Sequence, residues 1–331
     1  MLDPLILLVI VVILALAFDF INGFHDTANA IATSVSTHVL SPRAAIGMSA
    51  ILNVVGAVSG TAVAKTIGSG IVAPTSVTQV TVIAGLLAAI IWNLITWYYA
   101  IPSSSSHAII GGVIGASLVT AGTGALLWDG ILKIFVILIA SPVVGFVFSG
   151  ALMTGLLWLF HRSSPASVAN LFRFLQIGSA AFMGFSHGTN DAQKTMGIIT
   201  LALVSYHGWT TFEVPLWVIL LSALAMGLGT AVGGWRIIRT MGTKIVQLRP
   251  IHGFAAETSA AIVIETASRL GFPLSTTHVI SSTIMGVGAS KRLSAVRWGV
   301  AWNILAAWII TIPACIGMAF VFAEILHFVI G

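Results

Sequence analysis

Gly23-Phe24-His25-Asp26-Thr27-Ala28-Asn29-Ala30 returns later in the chain as Gly188-Thr189-Asn190-Asp191-Ala192-Gln193-Lys194-Thr195, with Asp26 opposite Asp191. Pro102-Ser103-Ser104-Ser105-Ser106-His107 returns in the same order as Pro273-Leu274-Ser275-Thr276-Thr277-His278. Two polar motifs repeated in one order at nearly one offset mark a duplicated supersecondary unit. The chain therefore divides into a first repeat over residues 1–160, a connector over 161–171 and a second repeat over 172–331.

The surroundings of these motifs are apolar. Of 331 residues, 58% are hydrophobic and only 7% charged, where a soluble domain carries about a quarter charged residues. Mean hydropathy is +1.06. Apolar runs at residues 5–20, 44–64, 80–101, 131–160, 215–230 and 298–330 approach or exceed the length of about twenty that crosses a bilayer core. The alternating ten-residue pattern of a membrane barrel is missing. The expected class is an all-α polytopic membrane protein. The first run has Asp3 where a signal peptide would carry Lys or Arg, so it reads as a retained helix. A single cysteine, Cys315, excludes a disulfide framework and a Cys-based metal centre. A net charge of +5 scattered over loops points to membrane orientation and not to nucleic acid.

Loop charges orient the halves. In the second, Arg236, Arg239, Lys244 and Arg249 fill one connection and Lys291, Arg292 and Arg297 another. The matching first-half loops, 65–79 and 121–130, hold one lysine between them, whereas Arg43 marks a loop whose later counterpart, 206–214, has no cation. The bias flips between halves, as inverted-topology repeats require. With His161, Arg162 and Arg173 also cytoplasmic, both termini fall on the extracellular side. Asn22-Gly23 and Pro102 interrupt apolar runs, so broken or re-entrant helices are expected to meet near the midplane, where paired interruptions mark a transporter's binding site.

A charge at the bilayer centre costs at least about 2.5–3.5 kcal/mol on insertion scales and so needs a function or a partner. Asp26 and Asp191 suit cation coordination or proton carrying, with Asn29, Asn190 and Gln193 as further oxygen donors for a hard cation such as Na+. Glu257 is a third candidate; Glu265 reads equally well as structural. Ser104, Ser105, Ser106, Ser275, Thr276 and Thr277 follow prolines, and if each tract starts a half-helix its amides and dipole end bind a tetrahedral anion. Lys194 either offers charge to that anion or neutralises Asp191. His25, His107, His187 and His278 are proton-switch candidates, although hydrogen-bonded packing explains any one of them as well. Trp92, Trp97, Tyr98 and Tyr99 read as an interfacial belt. Carboxylates beside an anion site are compatible if a cation or proton travels with the anion, which is symport.

The four motifs, taken with their order, resemble the PiT family of inorganic phosphate transporters, in its short bacterial low-affinity form, across essentially the whole chain. The resemblance implies a phosphate symporter driven by Na+ or H+, carrying phosphate free or as a metal–phosphate complex. It further implies inverted repeats, a homodimer in the cell membrane and no tightly bound cofactor. By residue match, Asp26, Asn29, Asn190 and Asp191 would serve the cation and phosphate sites, the Ser/Thr tracts would contact phosphate, and Glu257 matches a glutamate important in animal relatives. His25 and Lys194 stand where relatives often have Asn, and the first half has no clear partner for Glu257. Some relatives carry sulfate, which stays open as the anion. An intramembrane hydrolase built on Ser106 and His107 is disfavoured because every candidate is duplicated whereas such an enzyme needs one site. A passive channel would not require matched carboxylates.

Overall fold

A computed structural model of the chain describes residues 3–330, with side chains at all of these except 235, 236 and 330. Positions 1, 2 and 331, at the ends whose membrane side the loop charges address, and the side chain of Arg236 lie outside the described residues. Twelve helices make up the fold among the described residues. They are α1 (Pro4–Ser36), α2 (Pro42–Ala57), α3 (Ala62–Gly70), α4 (Gln79–Tyr98), α5 (Ser105–Thr120), α6 (Trp128–Leu159), α7 (Pro165–His207), α8 (Leu216–Val232), α9 (Trp235–Arg239, continued by a π turn at Thr240–Lys244), α10 (Pro250–Arg269), α11 (Thr276–Lys291) and α12 (Trp298–Ile330).

Helices α1, α4, α6, α7 and α12 are long and apolar enough to cross a membrane. Two further spans are bent, α2 to α3 by 69° and α8 to the 237–244 segment by 71°. Phe174, Trp158, Ile309 and Phe328 stand exposed on the outer surface, as expected of a surface that faces lipid or another membrane protein rather than water. Helix starts follow local chemistry. Ser164 accepts a hydrogen bond from the Ser167 amide and Pro165 occupies the first turn, where its missing N–H costs nothing. As a result α7 begins inside the 161–171 stretch read as connector.

The order long helix, bent pair, α4, α5, long helix is followed by the same order from α7 to α12. Packing partners recur with it: α1 lies on α8 as α7 lies on α2, and α5 on α12 as α11 on α6. Pro142 in α6 and Pro313 in α12 fall inside the matching closing helices. Ala100 and Gly271 adopt the left-handed conformation (φ 57° and 72°) at the two breaks that precede α5 and α11. Glycine does this freely, while alanine is strained there.

One expectation fails. Asn22-Gly23 does not break a helix, since α1 runs unbroken through it, as α7 runs through Gly188. The glycine serves close approach instead. A Cβ on Gly23 would sit 2.5 Å from the Met226 carbonyl oxygen of α8, and one on Gly188 would sit 2.1 Å from that of Asn53 in α2. The breaks at Pro102 and Pro273 are present, and each leads into a helix whose first turn is buried.

Close approach makes a clean prediction at Gly56, where an added Cβ would meet the Phe185 carbonyl oxygen at 2.0 Å. Gly56→Val should destabilise the protein by about 1–3 kcal/mol or more through overpacking, read as a lowered melting temperature in detergent. Gly155→Ala, inside α6 and with a methyl that meets nothing within 4 Å, should leave that temperature unchanged or slightly raised, since alanine is the better helix former.

Candidate functional site

The polar motifs converge in the interior. In α1 every residue from His25 to Ser34 is buried, and in α7 every residue from Ser186 to Val204. With no water in a bilayer core, these groups must satisfy one another. Asp26 is held by the His25 ring, Nδ1 lying 2.5 Å from Oδ1, and by the Ser105 hydroxyl, which donates to Oδ2 at 3.1 Å. The other His25 nitrogen faces Thr96 Oγ1 at 3.1 Å, and Ser103 donates to that same Thr96 oxygen at 2.8 Å.

Asp191 has a parallel arrangement. The Thr276 hydroxyl donates to its Oδ2 at 3.0 Å, His187 Nε2 lies 3.2 Å from the same oxygen, and the Lys194 ammonium pairs with Oδ1. Ser105 and Thr276 are the first residues of α5 and α11, so each carboxylate in a long helix takes a hydroxyl from the buried start of a short one. The two halves also meet directly. Ligand atoms of Asp26, His187 and Asp191 all lie within 4.8 Å of one another, and Asn29 donates to Thr277 Oγ1 at 2.9 Å and to Thr276 Oγ1 at 3.3 Å. Ser106 donates to the Leu274 carbonyl at 2.9 Å, and the His107 and His278 rings stand 4.4 Å apart.

Helix geometry leaves the first amides of α5 and α11 without intrahelical acceptors, beside the positive ends of both dipoles. That suits an anion. The carboxylates, the Ser105 and Thr276 hydroxyls and the unpartnered Asn29 Oδ1 are hard oxygen donors that suit Na+. Lys194 is fully buried with its ammonium on Asp191, the arrangement of the neutralising reading.

Several candidates are placed elsewhere. Ser104 and Ser275 cap their helices, accepting from the amides of His107 (3.1 Å) and His278 (3.3 Å). Gln193 Oε1 caps α3, accepting from the Val63 and Ala64 amides. The Asn190 amide donates to Ser268 Oγ at 2.8 Å in α10, leaving its Oδ1 unpartnered. Glu257 is fully buried in a cluster of its own, accepting from Thr33, Ser179 and Gln176. Thr33 lies one turn beyond Asn29 on α1, so this cluster adjoins the site without entering it. Glu265 pairs with Arg269 at 2.8 Å.

Asp19 is the residue that sequence reasoning overlooked, because it lies within the run 5–20 taken as apolar. It is fully buried with neither carboxylate oxygen hydrogen-bonded, near Asp191 and Lys194 and facing the Thr195 hydroxyl. Its position two helical turns before Asp26 was the available signal. Asn53 was also missed; it bridges His187 Nδ1 (2.9 Å) to Thr230 Oγ1 (2.9 Å).

Crossed long helices, bent spans and opposed buried helix starts around paired carboxylates define a multi-pass membrane transporter. Comparison with known proteins narrows the class. A model of the phosphate transporter family matches residues 22–319, and the chain belongs to that family, whose members are transporters and not enzymes. It is 53% identical over 312 residues to a protein of Bacillus subtilis named "Probable low-affinity inorganic phosphate transporter", covering 93% of this chain and 94% of that one. A Rhizobium meliloti protein of the same name is 50% identical over 311 residues, with 93% of each covered. A solved structure, described as "The sodium-dependent phosphate transporter", superposes with a TM-score of 0.91 at 27% identity, covering 98% of this chain and 100% of that one.

The Lys194–Asp191 pair is testable through stability. Lys194→Met leaves a buried carboxylate without its cation and should cost on the order of 3–5 kcal/mol, whereas Asp191→Asn with Lys194→Met should recover most of it. Thermal unfolding of the two variants measures the difference, and equal losses would reject the pairing.

Proposed function

We propose that the chain is a secondary active symporter that imports inorganic phosphate together with Na+ or H+, as two inverted repeats, 1–160 and 172–331, forming a homodimer in the cell membrane with both termini outside. The observation that carries this reading is the pairing of each carboxylate with a helix-start hydroxyl: Ser105 on Asp26 and Thr276 on Asp191. The recurrence of element order and packing supports the repeats. The crowding of Lys244, Arg249, Lys291, Arg292 and Arg297 into the later loops supports the orientation. The family resemblance supports the dimer.

Coupling follows from electrostatics. Two like charges about 4 Å apart repel by roughly 4 kcal/mol at an effective dielectric of about 20, on the order of a thousandfold in affinity. A bare phosphate entering beside Asp26 meets that repulsion, whereas Asp191 already carries the Lys194 ammonium. A cation on the carboxylates removes it and also frees the Ser105 and Thr276 hydroxyls, each with one proton, to turn and donate to phosphate oxygens. Thr277 and the first amides of α5 and α11 complete the anion cradle. Na+ is favoured by the oxygen donor set and by the sodium dependence stated for the structural neighbour. H+ is the second reading, favoured by His25, which already shares a 2.5 Å contact with Asp26. The cargo is phosphate either free or complexed with a metal. Phosphate is preferred to sulfate because a protonated phosphate can donate to a carboxylate.

Radiolabelled phosphate uptake into proteoliposomes under imposed Na+ or H+ gradients, with and without excess sulfate, tests the reading. Uptake against a concentration gradient, driven by one ion and resistant to sulfate, is expected; phosphate movement that ignores both gradients would sink symport.

Asp26→Asn should abolish driven uptake while leaving the melting temperature nearly intact. Ser105→Ala should weaken apparent phosphate affinity by roughly ten- to a hundredfold, since a hydrogen bond to a charged group is worth about 1.5–3 kcal/mol. Ser104→Ala, which loses a helix cap, should instead lower stability by about 0.5–2 kcal/mol. Uptake kinetics and thermal melts on the same preparations separate the two serines.

A further inference from the structure

One end of the molecule gathers cations that the transport site does not use. Arg249 at the start of α10, Lys291 and Arg292 at the end of α11, and Arg297 before α12 line a cavity of about 370 Å³ together with His252. Among the described residues, no carboxylate lines it. Arg297 is pinned by donating to the Thr243 carbonyl at 3.4 Å, and His252 Nδ1 accepts the Arg249 amide at 3.1 Å. That bond leaves the proton of a neutral ring on Nε2, free to donate. Arg249 and Lys291 both lie within electrostatic reach of the same ring.

Arg249, His252 and Lys291 also border a second space, a groove of about 500 Å³ between α6, α7 and α10. Its walls are largely apolar, formed by Leu156, Leu157, Phe160, Val168 and Ile251, with His161, Ser163 and Ser290 among the polar residues that line it. A cationic cavity therefore opens, across three shared residues, onto a greasy channel at the end of membrane-spanning helices.

The fold alone does not demand this charge. The corresponding first-half loops, 71–78 and 121–127, contain no Lys or Arg. Positive loops on one membrane side are required for orientation, but orientation does not require them to converge on a cavity joined to an apolar groove. Basic pockets beside membrane helices hold anionic lipid head groups, each nearby cation adding to the attraction.

We propose that cavity and groove together form a binding site for an anionic phospholipid. The phosphodiester and head-group charge lie among Arg249, Lys291, Arg292 and Arg297, with His252 donating from Nε2, and an acyl chain lies along Leu156, Leu157 and Ile251. The two membrane helices that border the groove, α6 and α7, and the two that carry Glu257 and Thr276, α10 and α11, would thereby share one lipid.

The test uses the full chain in detergent, titrated with phosphatidylglycerol and, separately, phosphatidylcholine, with bound lipid counted by native mass spectrometry. The wild type should retain phosphatidylglycerol in preference to phosphatidylcholine, and a large excess of inorganic phosphate should not displace it. The variant Arg249→Gln/Lys291→Gln/Arg292→Gln should bind phosphatidylglycerol on the order of a hundredfold more weakly with its melting temperature retained. Undiminished phosphatidylglycerol binding by that variant would overturn the proposal, as would equal wild-type retention of both lipids. Complete displacement by inorganic phosphate would also overturn it, marking the cavity as a vestibule for the free anion. Should the triple variant fail to fold, Arg292→Gln alone and the wild-type lipid preference still decide the matter.

Discussion

A hydroxyl at the start of a short helix donating to a carboxylate inside a long one is the contact on which the interior depends. It occurs twice, Ser105 to Asp26 and Thr276 to Asp191. An unpaired carboxylate in a bilayer-embedded core is among the most costly groups a protein can hold. Each of these two has therefore drawn a helix N-terminus to itself, and that helix start brings unsatisfied amides with it. The requirement that stabilises the carboxylates is thus the same one that builds an anion-attracting surface beside them. Lys194 pairs with Asp191 and the His25 ring with Asp26, so the two halves share a backbone arrangement and differ in the partner each carboxylate takes.

Glycine fixes how closely these helices meet. Gly23 against α8 and Gly188 against α2 let backbones touch where any side chain would collide. In a membrane, where apolar burial does not drive helices together, such van der Waals contact is the main source of cohesion. The motif glycines next to Asp26 and Asp191 consequently do structural work for helices that carry none of the site's hydroxyls.

Much of this was readable from residues alone. The repeated motifs, the apolar runs and the breaks at Pro102 and Pro273 disclosed a helical membrane architecture, because proline and long apolar segments have few alternative meanings. Gly23 was misread as a break because a glycine that loosens a helix and one that admits a neighbour look identical in sequence. The helix-capping bonds of Ser104, Ser275 and Gln193 were not legible in the sequence, since the oxygens that cap a helix are the same kind that hold an ion. Asp19 was lost inside its hydrophobic surroundings, although a carboxylate there is itself the anomaly. Asn53 and Gln176 required three-dimensional knowledge, because their partners lie more than a hundred and about eighty residues away, respectively, in the chain.

The bond from Ser106 to the Leu274 carbonyl joins the two halves at the point where their short helices begin. A neutral hydrogen bond of this kind contributes only about 0.5–1.5 kcal/mol net, a few multiples of thermal energy at most. The meeting point of the halves is thus held by individually weak bonds, this one standing beside those from Asn29 to Thr276 and Thr277.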